Sequence, residues 1–80
     1  MQIHVRLYAS LERYMPVQKE GNSFREVEVD EGSTVEQLLQ ALHVPAVAVK
    51  LIFVNGIHAQ IDRILKEGDR LGVFPPVAGG

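Results

Sequence analysis

The sequence ends PPVAGG, from Pro75 to Gly80, a stiff pair followed by small residues and two glycines, and this stretch is the one best suited to chemistry. Consecutive prolines favour an extended course, whereas glycines have no side chain to obstruct a narrow channel. Fully extended, these six residues reach about 20 Å. The group they would present is the α-carboxyl group of Gly80. Such groups titrate near about 3.3–3.7, so at neutral pH the carboxylate is ionised and is a poor electrophile until another enzyme activates it. The expected reactive position is therefore Gly80, with Pro75, Pro76, Val77, Ala78 and Gly79 as the thread that enters a partner's channel.

Other residues capable of chemistry form no comparable arrangement. His4, His43 and His58 lack metal-ligand spacing, and there is no cysteine to join them, so no metal site is expected. Asp30, Glu31 and Glu36 cluster before and within a helix signal, where the positive end of a helix dipole accounts for them without catalysis. No glycine-rich loop stands between a strand and a helix as a phosphate cradle requires, and no bound cofactor is expected.

The bulk composition sets the frame. Eighty residues make one domain, since a chain this short buries only about 60% of its unfolded surface. A formal charge of −2 offers no cationic field for nucleic acid. The apolar run near Leu51 to Val54 is far too short to span a membrane. The start, MQIHVRLYAS, alternates instead of forming a signal-peptide core, so a soluble cytoplasmic chain is expected.

The elements that must position the tail are legible from periodicity. In MQIHVRLYA, Met1, Ile3, Val5 and Leu7 share one face of a strand. SLERYMPVQKEGNS, broken by Pro16 and Gly21, holds a short helical turn, and FREVEVD is a second strand with Val27 and Val29 inward. EGSTVEQLLQALHVP carries the strongest helix signal. Val35, Leu38, Leu39 and Leu42 form one apolar stripe, and two capping boxes are available, Ser33 with Glu36 or Thr34 with Gln37. A helix of about ten residues ending before Pro45 is expected. AVKLIFVNGIHA is a third strand turning at Asn55-Gly56 into a short fourth. IDRILKEGD is a loop anchored by Leu65, and RLGVF is the last strand, stopped by the proline pair.

This order describes an α+β domain, a β-grasp with a mixed sheet of four to five strands and one main helix. The first and last strands should lie parallel at its centre, a pairing that needs the long connection the helix supplies. Residues 1–74 form the domain and 75–80 the tail. A single helix covers one face of the sheet. Leu71 and Val73 point towards it, leaving Gly72 and Phe74 on the open side. Leu51 and Phe53 are assigned to the helix side of the third strand, and Lys50, Ile52 and Val54 to the outside. Ile52 and Phe74, flanked by Tyr8, then make an apolar docking patch at the base of the tail.

GDRLGVFPPVAGG, from Gly68 to Gly80, is similar to the ending of molybdopterin-synthase small subunits. MQIHV and KLIF resemble strands of ubiquitin, and RLYASLERY and VNG fit more broadly. Over essentially its whole length the chain resembles the ubiquitin-like sulfur carriers, a superfamily that includes the thiamine-type carriers, and within it FPPV favours the molybdopterin branch. The resemblance implies that a ubiquitin-activating-type enzyme uses ATP and magnesium to adenylate the Gly80 carboxylate. A sulfur donor then converts it to a thiocarboxylate. The tail enters the large subunit of molybdopterin synthase and delivers sulfur to a pterin precursor, making this chain a co-substrate or accessory subunit and not the enzyme. Related carriers serve tungsten-cofactor and thiamine synthesis, transfer-RNA thiolation and covalent protein modification through the terminal glycine.

Overall fold

The computed structural model of the protein describes residues 1–15 and 24–76. In chain order these form strand β1 (Gln2–Leu7), a 3₁₀ turn (Ala9–Tyr14), β2 (Arg25–Glu28), helix α1 (Val35–Ala41), a second 3₁₀ turn (Ala46–Ala48), β3 (Leu51–Val54), β4 (Ile57–His58) and β5 (Arg70–Phe74). Pro16 and Gly21, and the tail positions Val77, Ala78, Gly79 and Gly80, lie outside the described residues. None of the described helices is long and apolar enough to cross a membrane.

The five strands make one mixed sheet in the order β2-β1-β5-β3-β4. β1 and β5 are parallel neighbours at the centre, with Val5 opposite Leu71 and Leu7 opposite Val73. The β-grasp expected from the element order is thus the observed architecture. α1 covers one face. Ile3, Val5, Leu7, Leu71 and Val73 from the sheet pack with Val35, Leu38 and Leu39 from the helix in one buried cluster, which Leu65 joins from the long loop.

Helix α1 starts where the sequence offers a cap. Of the two possible boxes the Thr34–Gln37 pair forms: Thr34 Oγ1 accepts from the Gln37 amide at 3.2 Å, and Gln37 Oε1 accepts from the Thr34 amide at 2.9 Å. The next amides, which a helix start leaves without internal partners, are taken by the loop: Val35 N donates to Arg63 O at 2.9 Å and Glu36 N to Ile61 O at 2.8 Å. The helix is shorter than expected, seven residues instead of about ten. Pro45 does not stop it. His43 adopts a left-handed φ of 64°, and Val44 N donates back to Leu39 O at 2.9 Å, so the chain turns off two residues before the proline.

The assignment of faces in β3 is corrected by its register. Residues directly opposite in an antiparallel pair share a face, and β3 pairs Ile52 with Val73 and Val54 with Leu71. Ile52 and Val54 therefore belong to the helix side, where they are 5% and 1% exposed. Leu51, opposite Phe74, and Phe53, opposite Gly72, take the open side. Ile52 is a core residue and not part of the docking patch. Lys50, placed outside with Ile52 and Val54, is exposed but precedes the strand, and it donates its amide to Phe74 O at 2.8 Å.

This register makes a stability contrast between neighbours. Ile52→Ala should cost about 2–5 kcal/mol, the range for emptying a buried aliphatic site, whereas Leu51→Ala, at a side chain 40% exposed, should cost about 1 kcal/mol or less. Urea unfolding of both variants measures this, and equal losses would contradict the register. Removing the helix cap by Thr34→Ala should cost about 1 kcal/mol, read as a lower denaturation midpoint with an unchanged slope.

Candidate functional site: the open face of the sheet

The face of the sheet away from α1 carries an aromatic cluster at the end of β5. Alternation along β5 puts Arg70, Gly72 and Phe74 on this face, and register brings Arg6 beside Gly72 and Phe53 across from it. Tyr8, one residue beyond β1, donates its amide to Val73 O at 3.0 Å and so continues the alternation past the strand end. Its ring stacks on Phe74, with centroids 4.0 Å apart and planes 12° from parallel. Phe53 meets Phe74 edge to face at 5.8 Å and 86°, and His58 meets Phe53 in the same manner at 5.8 Å. Such geometries set a positive ring edge against a negative ring face.

Tyr8 packs closely against Gly72. A Cβ built on it would stand 3.4 Å from Tyr8 Cε2, so the ring lies almost directly on the backbone of the central strand. Phe53 stands opposite Gly72 in β3. Between these rings lies an open groove of about 500 Å³ whose lining includes Tyr8, Phe24, Phe53, Arg70, Gly72 and Phe74, with Asn55 and Gly56 at its rim.

Two guanidinium groups lie over the aromatic rings. The Arg6 guanidinium carbon is 4.3 Å from the Tyr8 ring centroid, and that of Arg70 is 4.7 Å from the Phe24 centroid. Both distances fall within the range of cation–π attraction. The Arg6 Nε is buried without a hydrogen-bond partner among the described residues. Among the described residues that line the groove, Arg70 alone carries a full charge.

The rim of the groove is fixed by a side-chain clamp. Asn55 and Gly56 both have positive φ, 54° and 83°, the conformation of a two-residue hairpin turn. Asn55 Nδ2 donates to Asp69 Oδ1 at 3.0 Å, and Asn55 Oδ1 accepts from the Arg70 amide at 3.0 Å. Asp69, only 8% exposed, also accepts from the Lys66 amide at 2.8 Å through Oδ2. The β3–β4 turn is thus tied to the first residue of β5, and with it the line along which β5 runs to the proline pair.

Of the expected docking residues, Tyr8 and Phe74 lie together on the open face and Ile52 does not. Phe53 takes the position assigned to Ile52. Phe24, Arg6 and Arg70 were not among the expected residues; the alternation that placed His4 and Arg6 opposite Ile3 and Val5 was the available signal for Arg6. Pro75, half-buried, and Pro76, exposed, leave this face directly after Phe74. Asp30, Glu31 and Glu36 stand exposed around the helix start, and among the described residues no three histidine or acidic side chains stand close enough to hold a metal.

The model of the Mut7-C ubiquitin family matches residues 1–79. Among solved structures, SAMP1 from Haloferax volcanii matches with a TM-score of 0.71 and 26% identity over 100% of both chains. A Pyrococcus furiosus protein assigned as molybdopterin converting factor subunit 1 matches with a TM-score of 0.67 and 27% identity, over 95% of this chain and 98% of that one. A chain from the complex of subunits 1 and 2 of molybdopterin-converting factor of Helicobacter pylori 26695 gives 0.60 at 21% identity over 100% of both, a likeness of fold alone. No curated protein sequence matches the chain. With a family match across nearly its whole length and the five-stranded sheet in this order, the chain belongs to the Mut7-C ubiquitin family and has the β-grasp fold of the ubiquitin-like sulfur carriers.

Proposed function

We propose that this chain is a sulfur carrier whose Gly80 carboxylate is activated, converted to a thiocarboxylate and used to donate sulfur in molybdopterin synthesis, for a molybdenum or tungsten cofactor. The observation that carries the reading is the Tyr8–Phe74 stack, which ends the central strand immediately before Pro75-Pro76. An apolar docking face is thereby continuous with the base of the stretch that would enter a partner. Domain and tail divide at that point, residues 1–74 holding the partner and 75–80 reaching into it. The likeness to the Pyrococcus furiosus subunit supports the molybdopterin branch. The complex of subunits 1 and 2 supports a large-subunit partner for a protein of this fold.

In this reading the partners supply the catalytic groups. An activating enzyme with ATP and magnesium lets the Gly80 carboxylate oxygen attack the α-phosphorus, giving the acyl-adenylate and pyrophosphate. Sulfide then attacks the acyl carbon and displaces AMP, leaving the thiocarboxylate. Gly79 and Gly80 admit the acyl carbon to both active sites because no side chain obstructs the approach. A second reading, a modifier joined through Gly80 to a lysine of another protein, draws on the likeness to SAMP1, a small archaeal modifier protein.

Incubation with a cognate activating enzyme, ATP and sulfide should raise the intact mass by the difference between sulfur and oxygen. One residue appended after Gly80 should abolish that change, and lack of exchange in the unextended chain with an active enzyme would overturn the reading. The modifier reading instead expects higher-mass conjugates in cells that disappear when Gly79 and Gly80 are deleted.

Phe74→Arg tests the docking face. It puts a charge into the middle of the aromatic cluster, so affinity for the activating enzyme should fall by at least about tenfold while the circular dichroism spectrum stays unchanged. Equal affinity would move the docking surface elsewhere.

A further inference from the structure

The groove on the open face has a definite chemical bias. Aromatic rings and Gly72 line it, and among the described residues its one charged lining group is the Arg70 guanidinium. This local positive charge sits on a chain whose formal net charge is −2. The open-face carboxylates that register places on β2, Glu26 and Glu28, stand opposite His4 and Gln2 and do not line the groove. Arg6, on the far side of the Tyr8 ring from Phe74, adds a second positive group.

We infer that this groove receives a segment of a partner protein that sets an apolar side chain against the rings of Phe53 and Phe74 and a carboxylate against Arg70. The inference rests on the open face being the docking face, as in the function proposed above, and is independent of what happens at Gly80. Three features select this occupant. First, about 500 Å³ exceeds one side chain and suits a short segment. Second, the Arg70 guanidinium, its carbon 4.7 Å from the Phe24 centroid, is exposed at the groove, and a guanidinium grips a carboxylate through two parallel hydrogen bonds. Third, the rings are engaged with one another. Tyr8 has Arg6 near one side and Phe74 stacked on the other, and Phe53 takes part in edge contacts with Phe74 and His58. Bases of single-stranded nucleic acid need free ring faces, so the arrangement favours an apolar peptide side chain over a base.

Gly72 then sets selectivity. A Cβ there would stand 3.4 Å from Tyr8 Cε2, and a branched side chain would press on that ring and narrow the groove. Arg70 sets the sign of charge that is accepted.

The test is an amide-resolved NMR titration of the full chain, without ATP or any enzyme, using two blocked tetrapeptides as probes. One has leucine and phenylalanine between two glutamates, and in the other both glutamates are lysines. The glutamate peptide should shift the amides of Phe53, Arg70 and Gly72 saturably, and the lysine peptide should bind at least about tenfold more weakly. Arg70→Glu should reverse that order. Gly72→Val should weaken the glutamate peptide by at least about tenfold; should that variant lose its dispersed spectrum, the charge reversal at exposed Arg70 decides alone. Equal binding of the two peptides, no saturable shift from the glutamate peptide, an order unchanged by Arg70→Glu, or tighter binding of oligouridylate at the same amides would each overturn the inference. None of these results bears on sulfur exchange at Gly80, which intact mass reads separately.

Discussion

The parallel pairing of β1 with β5 is the constraint on which the rest of the molecule depends. Parallel neighbours cannot be joined by a tight turn, so the chain must leave β1, cross over the sheet and return. Everything between Leu7 and Arg70 is that return path. It is long enough to hold one helix, and one short helix covers one face only. The asymmetry of the sheet, apolar and sealed beneath α1 but open opposite, follows from the connection and not from any special feature of the open-face residues. The same pairing makes the last strand central, so the end of β5 emerges between buried neighbours and not at a frayed edge.

A central final strand has a mechanical consequence for the tail. Phe74 is held by its stack on Tyr8 and through its carbonyl, which accepts from Lys50. The start of the strand is held by the Asn55–Asp69 clamp. With both ends of β5 fixed, the direction in which Pro75 leaves the sheet is set by the domain. A narrow φ range at each proline extends that orientation outward. Under the function proposed above, an end directed in this way would lose less entropy on entering a channel.

Most of this was legible in the sequence because polar and apolar residues alternate clearly in β1 and β5. Ile3, Val5 and Leu7 stand against Gln2, His4 and Arg6, and the phase admits no second solution. β3 reads differently. Leu51, Ile52, Phe53 and Val54 are all apolar, so alternation contains no phase information. The pairing partner decides: β5 already had Leu71 and Val73 inward, and a register that opposes Ile52 to Val73 carries the phase across. The helix end escaped for another reason: a histidine in the left-handed region is uncommon, and Pro45 was the more conventional terminator.

An exposed aromatic cluster is an aggregation hazard, and this one is arranged to limit it. The rings present edges more than faces, because Tyr8 and Phe74 cover one another and guanidinium groups lie over Tyr8 and Phe24. Apolar area remains, but it lies within a groove bounded by positive charge, so another copy of this chain would meet like charge when its own groove approached. A partner carrying carboxylates would meet opposite charge. The stacking also fixes the rings before any partner arrives, so that less side-chain freedom is lost in the complex. In the function proposed above, a carrier visiting one enzyme for activation and another for delivery would need a surface that is preorganised but small, binding firmly enough to guide the tail and weakly enough to leave.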